Sequence, residues 1–363
     1  MENKKYIQKQ FNKKNRIAVL LVNFGGPHNL KSVKSFLYNL FSDPMVLNFP
    51  FISSSSHLSP LTSCFFSLFR NPLAWLISSI RVRASTEMYK KICPISPLIP
   101  ITYLQQQKLQ ELLNRNELPI DVYVGFSYSS PYIEDVLENL NSLDYKKVVI
   151  LPLYPQYSYT TTGSVELVVN KWQSRQPCND MTIHLVKQWH TDEDYIQSYV
   201  NLINNSLSNL DLRSTEIIFS AHSIPLINIK NGDPYENHIA ETVNLIVNKL
   251  SWKKRWHISY QSKIGPVKWL EPSTDKVIEE IAKRNKNTNI LVVPISFTCE
   301  HVETIFEIGK LYKEVAKRVG IKKFARVPAL NTNKYLIQSL YNQVNRILQE
   351  CNDYSEVLVN WSR

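Results

Sequence analysis

Glycine is scarce in this sequence, at 8 of 363 residues, against roughly 7% in an average protein. No stretch reads G-x-G-x-x-G or G-x-x-x-x-G-K-[ST], the loops whose backbone amides hold the phosphates of nucleotide cofactors. The glycines stand singly except for Gly25-Gly26. A nucleotide cofactor held by such a loop is therefore not expected.

Cysteine is also scarce and never occurs as C-x-x-C. The five residues are Cys64, Cys93, Cys178, Cys299 and Cys351. An odd number of widely spaced cysteines predicts neither a disulfide framework nor a four-thiolate metal site, and it fits a reducing compartment. The chain begins without the apolar core of a secretory signal, and no apolar run reaches the roughly 18 residues of a spanning helix. We expect a cytoplasmic protein.

Basic residues outnumber acidic ones by 42 to 31, which gives a net charge of +11. Much of this excess falls at the start of the chain, where we assign residues 1–15 as a basic arm. Such charge is compatible with nucleic acid or an anionic membrane as partner. No helix-turn-helix, zinc finger or RNP-like run is present. We therefore expect no nucleic acid and keep an anionic membrane surface as a candidate partner.

Six short apolar runs, rich in β-branched residues, each lead into a polar loop and then a helical pattern. Such runs are typical of buried parallel strands in an α/β fold. They lie at 17–22, 122–126, 148–153, 216–219, 256–260 and 290–295.

The two halves of the chain repeat one pattern. Residues 148–154 and 290–297 both place Pro after four apolar residues and continue into a polar loop. We predict two similar α/β domains, 16–175 and 176–330, followed by a C-terminal helix and tail at 331–363. Because ligands of open parallel sheets bind beyond the carboxyl ends of the strands, the loops should line one cleft between the domains.

Residues 51–80 differ from the rest, with Arg70 as their one formal charge. Pro60 and Pro72 are expected to divide the segment into short pieces. The segment is either a pair of buried helices or an exposed apolar lip that meets a large flat ligand or a membrane. Its large apolar side chains include Phe65, Phe66, Phe69 and Trp75.

Two strand-end loops carry side chains suited to chemistry. His222 directly follows a predicted strand, so its imidazole should reach the cleft. If a helix begins soon after the last strand, Glu300, Glu303 and Glu307 share one of its faces. Burial and like charges raise carboxylate pKa values toward that of His, which suits proton transfer, and nitrogen with oxygen binds Fe²⁺ weakly. A structural histidine and a solvated helix face are the alternatives.

Several motifs, in one order over residues 16–350, closely resemble those of the ferrochelatases, which insert ferrous iron into protoporphyrin IX. Multi-residue blocks in a shared order are far more specific than any single motif. The blocks are NFGGP at 23–27, LPLYPQY at 151–157 with TTGS at 161–164, FSAHSIP at 219–225 with GDPY at 232–235, YQSKIGP at 260–266 with WL at 269–270, and VPISF at 293–297 with HVET at 301–304.

The resemblance implies two Rossmann-like domains with parallel sheets, of the chelatase type, and a porphyrin in the cleft between them. By position, His222 matches the active-site histidine of the family and Glu303 its essential glutamate, the two groups that meet the metal. Glu307 and Glu300 match an acidic line that forms a proton or metal path.

Further positions match residues that surround the macrocycle. Phe24, Tyr154 and Trp269 correspond to contacts with the porphyrin, and residues 51–80 to the apolar lip at the pocket mouth. Ser127 stands where many members carry Arg, although Ser also occurs there.

The departures from the family pattern also carry expectations. Cys93-Pro-Ile95 replaces glycines found in many members, which alters a loop near the porphyrin. Tyr159 and the lone Cys351 occupy regions where cluster-bearing relatives place iron–sulfur ligands, so no such cluster is expected.

The implied substrates are Fe²⁺ and protoporphyrin IX, without a permanently bound cofactor, in a cytoplasmic protein that associates peripherally with membranes. The implied reaction makes protohaem and releases two protons, as the last step of haem biosynthesis. A chelatase for another tetrapyrrole, such as coproporphyrin III, and a non-catalytic porphyrin or haem carrier are the alternatives.

Overall fold

The structure, a computed structural model, describes residues 16–47, 60–92, 96–116, 118–177, 179–263, 265 and 267–350. In the helix that begins at Pro60, side chains are described from Phe69 onward. The basic arm 1–15, the first part of the lip at 51–59, the Cys93-Pro-Ile95 loop and the tail 351–363 lie outside the described residues.

Two parallel four-stranded sheets form the frame. The strands are β1 (Ile17–Asn23), β2 (Ile120–Phe126), β3 (Lys147–Pro152), β4 (Thr182–Leu185), β5 (Thr215–His222), β6 (Trp256–Gln261), β7 (Asn289–Pro294) and β8 (Lys323–Arg326). The first sheet has the order β2-β1-β3-β4 and the second the order β6-β5-β7-β8. The six predicted strands are all present, and the shared order confirms the predicted α/β class with two similar halves.

Helices connect the strands. The α-helices are α1 (Val33–Ser42), α2 (Pro60–Ile92), α3 (Leu98–Arg115), α4 (Ile133–Ser142), α5 (Ser164–Ser174), α6 (Glu193–Leu207), α7 (Leu226–Lys230), α8 (Tyr235–Leu250), α9 (Thr274–Arg284), α10 (Lys313–Arg318) and α11 (Lys334–Glu350). Two π-helices, π1 (Tyr159–Gly163) and π2 (Glu303–Tyr312), precede α5 and α10, and short 3-10 turns lie at Leu30–Ser32 and Leu212–Ser214.

The central strands are buried on both faces, as parallel strands covered by helices require. Every residue of β1 and of β7 is buried. One core joins the halves, because Leu21 of β1 and Phe219 of β5 belong to the same buried cluster. The outer face of each sheet has a cluster of its own, around Leu20 and Ile290 respectively. The two sheets are therefore held together by shared apolar packing.

The predicted domain boundary at residue 175 is too early. β4 pairs in parallel with β3, so the first sheet continues through residue 185. β4 and β8 both lie at sheet edges, are partly exposed and mix polar with apolar residues. Edge strands of this kind give little apolar signal, which is why the sequence pattern missed them. The C-terminal helix α11 packs back onto α6 and α3.

The lip segment 51–80 was expected to form short pieces, but its described part belongs to one long helix. α2 runs without interruption from Pro60 to Ile92, with Pro72 inside it. Pro60 stands at the first helical position, where a missing amide costs nothing. Ala74 and Tyr89 pack in a cluster with α1, and this packing offsets the amide donor lost at Pro72.

The described part of α2 also presents an apolar surface to solvent. Its exposed side chains are Phe69, Trp75, Leu76 and Ile80. Of the two interpretations of this segment, the exposed lip therefore fits the described residues. No helix in the described ranges has the length and apolar character needed to cross a membrane.

Candidate functional site

The loops that follow the strands of the two sheets meet at one place, which we call the strand-end junction: residues 23–29, 126–131, 153–158, 222–225, 261–263 and 296–301. Thr298 Oγ1 donates a hydrogen bond of 3.1 Å to the carbonyl oxygen of Leu153, from the second half to the first. Asn23 Nδ2 lies 3.7 Å from the buried Cys299 Sγ. The predicted meeting of these loops is confirmed.

The paired glycines let the first loop pass close to its neighbours. Gly25 has φ +88, in the region that favours glycine, and a Cβ atom there would collide with Ser129. A Cβ atom on Gly26 would collide with Ser96. A side chain at Gly25 would push the loop after β1 away from the loop after β2, and one at Gly26 would push it away from Ser96, which precedes α3.

His222 is the last residue of β5 and lies in the strand-end junction. Its ring faces the edge of the Phe297 ring, with a centroid separation of 6.1 Å. Burial lowers the pKa of His222, while the nearby Glu303 carboxylate acts to raise it and His301 to lower it. The imidazole is therefore neutral at pH 7 and has a lone pair that can accept a proton.

Glu303 begins π2 and forms a tight pair with His301. His301 Nδ1 lies 2.6 Å from Glu303 Oε2, and 34% of the Glu303 side chain remains exposed. Burial acts to raise the pKa of Glu303, but attraction and hydrogen bonding from His301, with a smaller contribution from His222, lower it to about 2. Glu303 is thus a fixed negative charge, rather than a carboxylate with the raised pKa that the sequence predicted.

Glu307 follows four residues later in the same π-helix. Its Oε1 accepts hydrogen bonds from the Ser262 amide at 2.8 Å and from Tyr312 Oη at 2.9 Å, and its Oε2 accepts from Ser262 Oγ. Burial raises the pKa of Glu307 despite these donors, and the charge of Glu303 adds to the rise. The two carboxylates of π2 therefore have opposite shifts.

Glu300 does not share their face, so the predicted register of three carboxylates on one helix is wrong. π2 begins at Glu303, and Glu300 lies before it. Its Oε1 accepts a hydrogen bond of 2.7 Å from Arg326 and one of 3.0 Å from the Ala329 amide. This ion pair has only 12% of the Glu300 side chain exposed and fixes the end of β8.

The two π-helices occupy equivalent places in the repeat. π1 follows β3 and π2 follows β7, each after the proline that ends its strand. π-helical segments are rare and occur frequently at functional sites. The sequence pattern predicted helices at both places but gave no sign of their wider winding.

The first half supplies aromatic side chains at the junction. Phe24 packs edge to face on Tyr128, with ring centroids 4.6 Å apart. The Tyr154 hydroxyl is buried and lies beside Ser127. In the second half, Trp269 bridges to Pro225, three residues after His222. The candidate porphyrin contacts therefore come from both halves of the chain.

For two side chains near Glu303, no role was predicted from the sequence. His301 Nε2 is buried and has no hydrogen-bond partner among the described residues. Tyr89 of α2 is buried near Glu303, whose charge adds to the effect of burial in raising the pKa of the phenol. The HVET block at 301–304 held the signal for His301, whereas Tyr89 lies more than 200 residues away in sequence.

The described residues contain no cluster of three or more His, Cys, Asp or Glu side chains arranged to hold a metal ion. The role of His222 and Glu303 in meeting a metal stays a prediction from the sequence. Cys299 is buried, and burial raises the pKa of its thiol to about 12.

Comparison with known proteins decides the family. The ferrochelatase family model matches residues 16–348. Curated ferrochelatases from Synechococcus elongatus and Trichodesmium erythraeum are each 38% identical, over 338 and 349 residues, and cover 92% and 94% of this chain and 83% and 86% of their own. This chain belongs to the ferrochelatase family.

Structural comparison agrees at the level of the fold. The sirohydrochlorin chelatase SirB from Bacillus subtilis subspecies spizizenii, in complex with cobalt, gives a TM-score of 0.50 at 11% identity over 91% of this chain and 94% of that one. SirB from Bacillus subtilis with Fe³⁺ gives 0.50 at 11% identity over 66% and 88%. Family membership supports a chelatase that inserts a metal ion into a porphyrin in haem synthesis.

Proposed function

We propose that this chain inserts Fe²⁺ into protoporphyrin IX, forms protohaem and releases two protons, as the last step of haem biosynthesis. The observation that supports this most directly is the grouping of His222, Glu303 and His301 where the loops of both halves meet. Phe24 and Tyr154 supply the aromatic surface that a flat macrocycle needs.

His222 takes a proton from a pyrrole nitrogen in this proposal. A proton acceptor must be unprotonated at working pH, and burial favours the neutral imidazole of His222. A flat porphyrin presents its nitrogen lone pairs poorly, so binding it bent exposes them to the metal. Contacts elsewhere on the macrocycle, including those of Trp269, stabilise the bent form.

Glu303 and Glu307 have different tasks. With a pKa of about 2, Glu303 stays ionised, so it attracts Fe²⁺ together with His222 and is a weak proton acceptor. Glu307, whose pKa burial raises, passes the protons onward. Glu300 is left out of this path because its carboxylate is engaged by Arg326.

The exposed apolar surface of α2 also supports a place of action at a membrane. We infer that Phe69, Trp75, Leu76 and Ile80 rest on an anionic membrane from which the poorly soluble porphyrin arrives, in a cytoplasmic protein bound peripherally. The basic arm 1–15 adds about 1 kcal/mol per Lys or Arg close to such a surface. No resident cofactor and no iron–sulfur cluster takes part in the proposed reaction.

One experiment tests the substrate and the activity together. Anaerobic insertion of Fe²⁺, with Zn²⁺ as a second metal, is measured with protoporphyrin IX and coproporphyrin III side by side. We expect faster insertion into protoporphyrin IX, because the apolar lip favours the more apolar macrocycle. Faster insertion into coproporphyrin III would reassign the substrate, and tight binding of both without insertion would make the protein a carrier.

A further inference from the structure

The main-chain groups of His222 lose their strand partners at the end of β5. Along β5, residues of even number bond to β7, and the last such bond runs from the Ile295 amide to the Ser220 carbonyl at 3.1 Å. β7 ends at Pro294. The amide and the carbonyl of His222 therefore point to a place that β7 no longer fills.

The Ile295 carbonyl, which would accept the next hydrogen bond between β5 and β7, already accepts hydrogen bonds from other groups. The Ile295 carbonyl accepts hydrogen bonds from Tyr195 Oη at 3.1 Å and Tyr199 Oη at 3.2 Å. Both tyrosines belong to α6 and are fully buried. The chain after β7 is thereby held toward α6, away from the next position of the ladder with β5.

Two side chains fill the gap. Ser296 Oγ accepts the His222 amide at 2.9 Å, and Tyr235 Oη donates to the His222 carbonyl at 3.0 Å. Ser296 also lies beside the Tyr235 hydroxyl. An unsatisfied buried peptide group is costly, so these bonds define where the main chain of His222 can lie.

Tyr235 is itself fixed from both halves. The carboxylate of Asp233 accepts the Tyr235 amide at 3.0 Å, the Ser158 hydroxyl at 2.8 Å and the Tyr159 amide at 2.8 Å. Ser158 and Tyr159 belong to the loop and π-helix after β3, in the first half. Asp233 is only 4% exposed. This carboxylate connects the aromatic side of the junction to the start of α8, where Tyr235 lies.

We propose that Tyr235 and Ser296 are positioning residues for His222, and that Asp233 sets Tyr235 from the first half of the chain. They act through the peptide groups of His222 and touch neither the porphyrin nor the metal. A group that reacts must be held to within a fraction of an ångström of its productive position. This inference rests on the proposed role of His222.

The test compares Tyr235→Phe and Ser296→Ala with Ser296→Thr, which keeps the hydroxyl. Tyr123→Phe is the matched control, since it removes a half-buried hydroxyl on β2 that is hydrogen-bonded at 2.9 Å to the Tyr145 hydroxyl. We expect kcat for Zn²⁺ insertion to fall roughly fivefold to tenfold in the first two variants. KM should stay within about twofold of wild type, and the Thr and control variants should retain near wild-type kcat.

Amide hydrogen exchange of the 219–224 segment separates this inference from the proposed function. Ser296→Ala should speed exchange of the His222 amide, because its acceptor is gone, whether or not the protein inserts metal. Unchanged exchange in Ser296→Ala would overturn the positioning role. So would unchanged kcat in folded Tyr235→Phe, if wild type is active and His222→Ala is not. An inactive wild type with accelerated exchange would overturn the proposed function alone.

Discussion

After the third strand of each sheet, the chain takes the same course and ends with different side chains. β3 leads to Tyr154 and then π1, while β7 leads to His301 and then to Glu303 in π2. The loop of the first half carries aromatic and hydroxyl side chains and no charge, whereas the loop of the second half adds an imidazole and carboxylates to Ser296 and Phe297. The repeated sheet therefore brings two loops to one junction and leaves their chemistry free to differ.

Among the variants that test this difference between the halves, His222→Ala should cause the largest loss of metal insertion. We expect insertion to fall about 1,000-fold or more, the range for loss of a proton-transfer group, with the protein folded and porphyrin binding retained. Rates of Zn²⁺ insertion are measured together with quenching of protoporphyrin fluorescence. A folded variant that turns over at the wild-type rate would remove His222 from the mechanism.

A second test compares the turnover of Glu303→Gln with that of Glu300→Gln, both in the second half. Glu303→Gln removes a negative charge that stays ionised, so turnover should fall about 100-fold with little change in porphyrin affinity. Glu300→Gln weakens the ion pair with Arg326 and should cost about 3 kcal/mol of stability with a smaller loss of turnover. Greater sensitivity of turnover at Glu300 would contradict the assignment of Glu303 as the charged group of the site.

Substitutions in the lip test whether the first half binds the porphyrin and the membrane. Phe69→Ser with Trp75→Ser removes two exposed apolar side chains, so we expect weaker binding to anionic liposomes and an apparent KM for protoporphyrin raised about fivefold. Leu212→Ser, half exposed elsewhere on the surface, is the control. Removal of residues 1–15 should also reduce liposome binding, most clearly at low salt.

Phe65→Ser with Phe66→Ser addresses the part of the lip whose side chains lie outside the described set. We expect a further loss of liposome binding and a higher KM from these changes. The segment would instead belong to the buried core if these variants unfold and if the other lip substitutions and the removal of residues 1–15 leave liposome binding unchanged.

The smallest effect is expected at His238, which packs on His190 in the second half and accepts a hydrogen bond from the first half. Their rings stack with centroids 4.0 Å apart, and the Tyr157 amide donates to His238 Nδ1 at 3.2 Å. Burial, with repulsion from His190, lowers the pKa of His238 from 6.5 to about 4, against an opposing pull from Glu241.

The sign of the pH dependence follows from that shift. Between pH 6.5 and 4 the unfolded chain binds a proton at His238 that the folded chain does not, so stability falls as pH falls. The loss is roughly 1–2 kcal/mol after allowance for partial exposure. His238→Gln should show a smaller drop in melting temperature from pH 7 to pH 5 than wild type or the exposed control His28→Gln. An equal drop would remove His238 as its source.

Much of the fold could be predicted from the sequence because the central strands are buried on both faces and are continuously apolar. β4 and β8 escaped prediction because they are four-residue, partly exposed edge strands that mix polar with apolar residues. Pro72 was misread because a helix packed along its length tolerates one missing amide. These errors concern tertiary packing, which a local pattern does not contain.

The candidate site was predicted in part. The motif blocks pointed to His222, which lies in the junction, and to Glu303, which begins π2 directly after it. The opposite shifts of Glu303 and Glu307 depend on His301 and Ser262, partners that only the folded chain brings together. Tyr89 lies near Glu303 from a distant segment, so its spacing in sequence carried no signal. Tyr235 belongs to the GDPY block, but only the folded chain shows that its hydroxyl reaches the His222 carbonyl.

The most direct test of the division between the halves measures binding and chemistry separately in paired variants. Protoporphyrin affinity and single-turnover Zn²⁺ insertion from the bound complex are compared in His222→Ala and Tyr154→Leu. We expect His222→Ala to bind porphyrin within about twofold of wild type and not to insert metal. Tyr154→Leu should bind porphyrin more weakly and still insert metal into what it binds. A loss of affinity in His222→Ala as large as its loss of insertion, with Tyr154→Leu unaffected in binding, would contradict this division of roles.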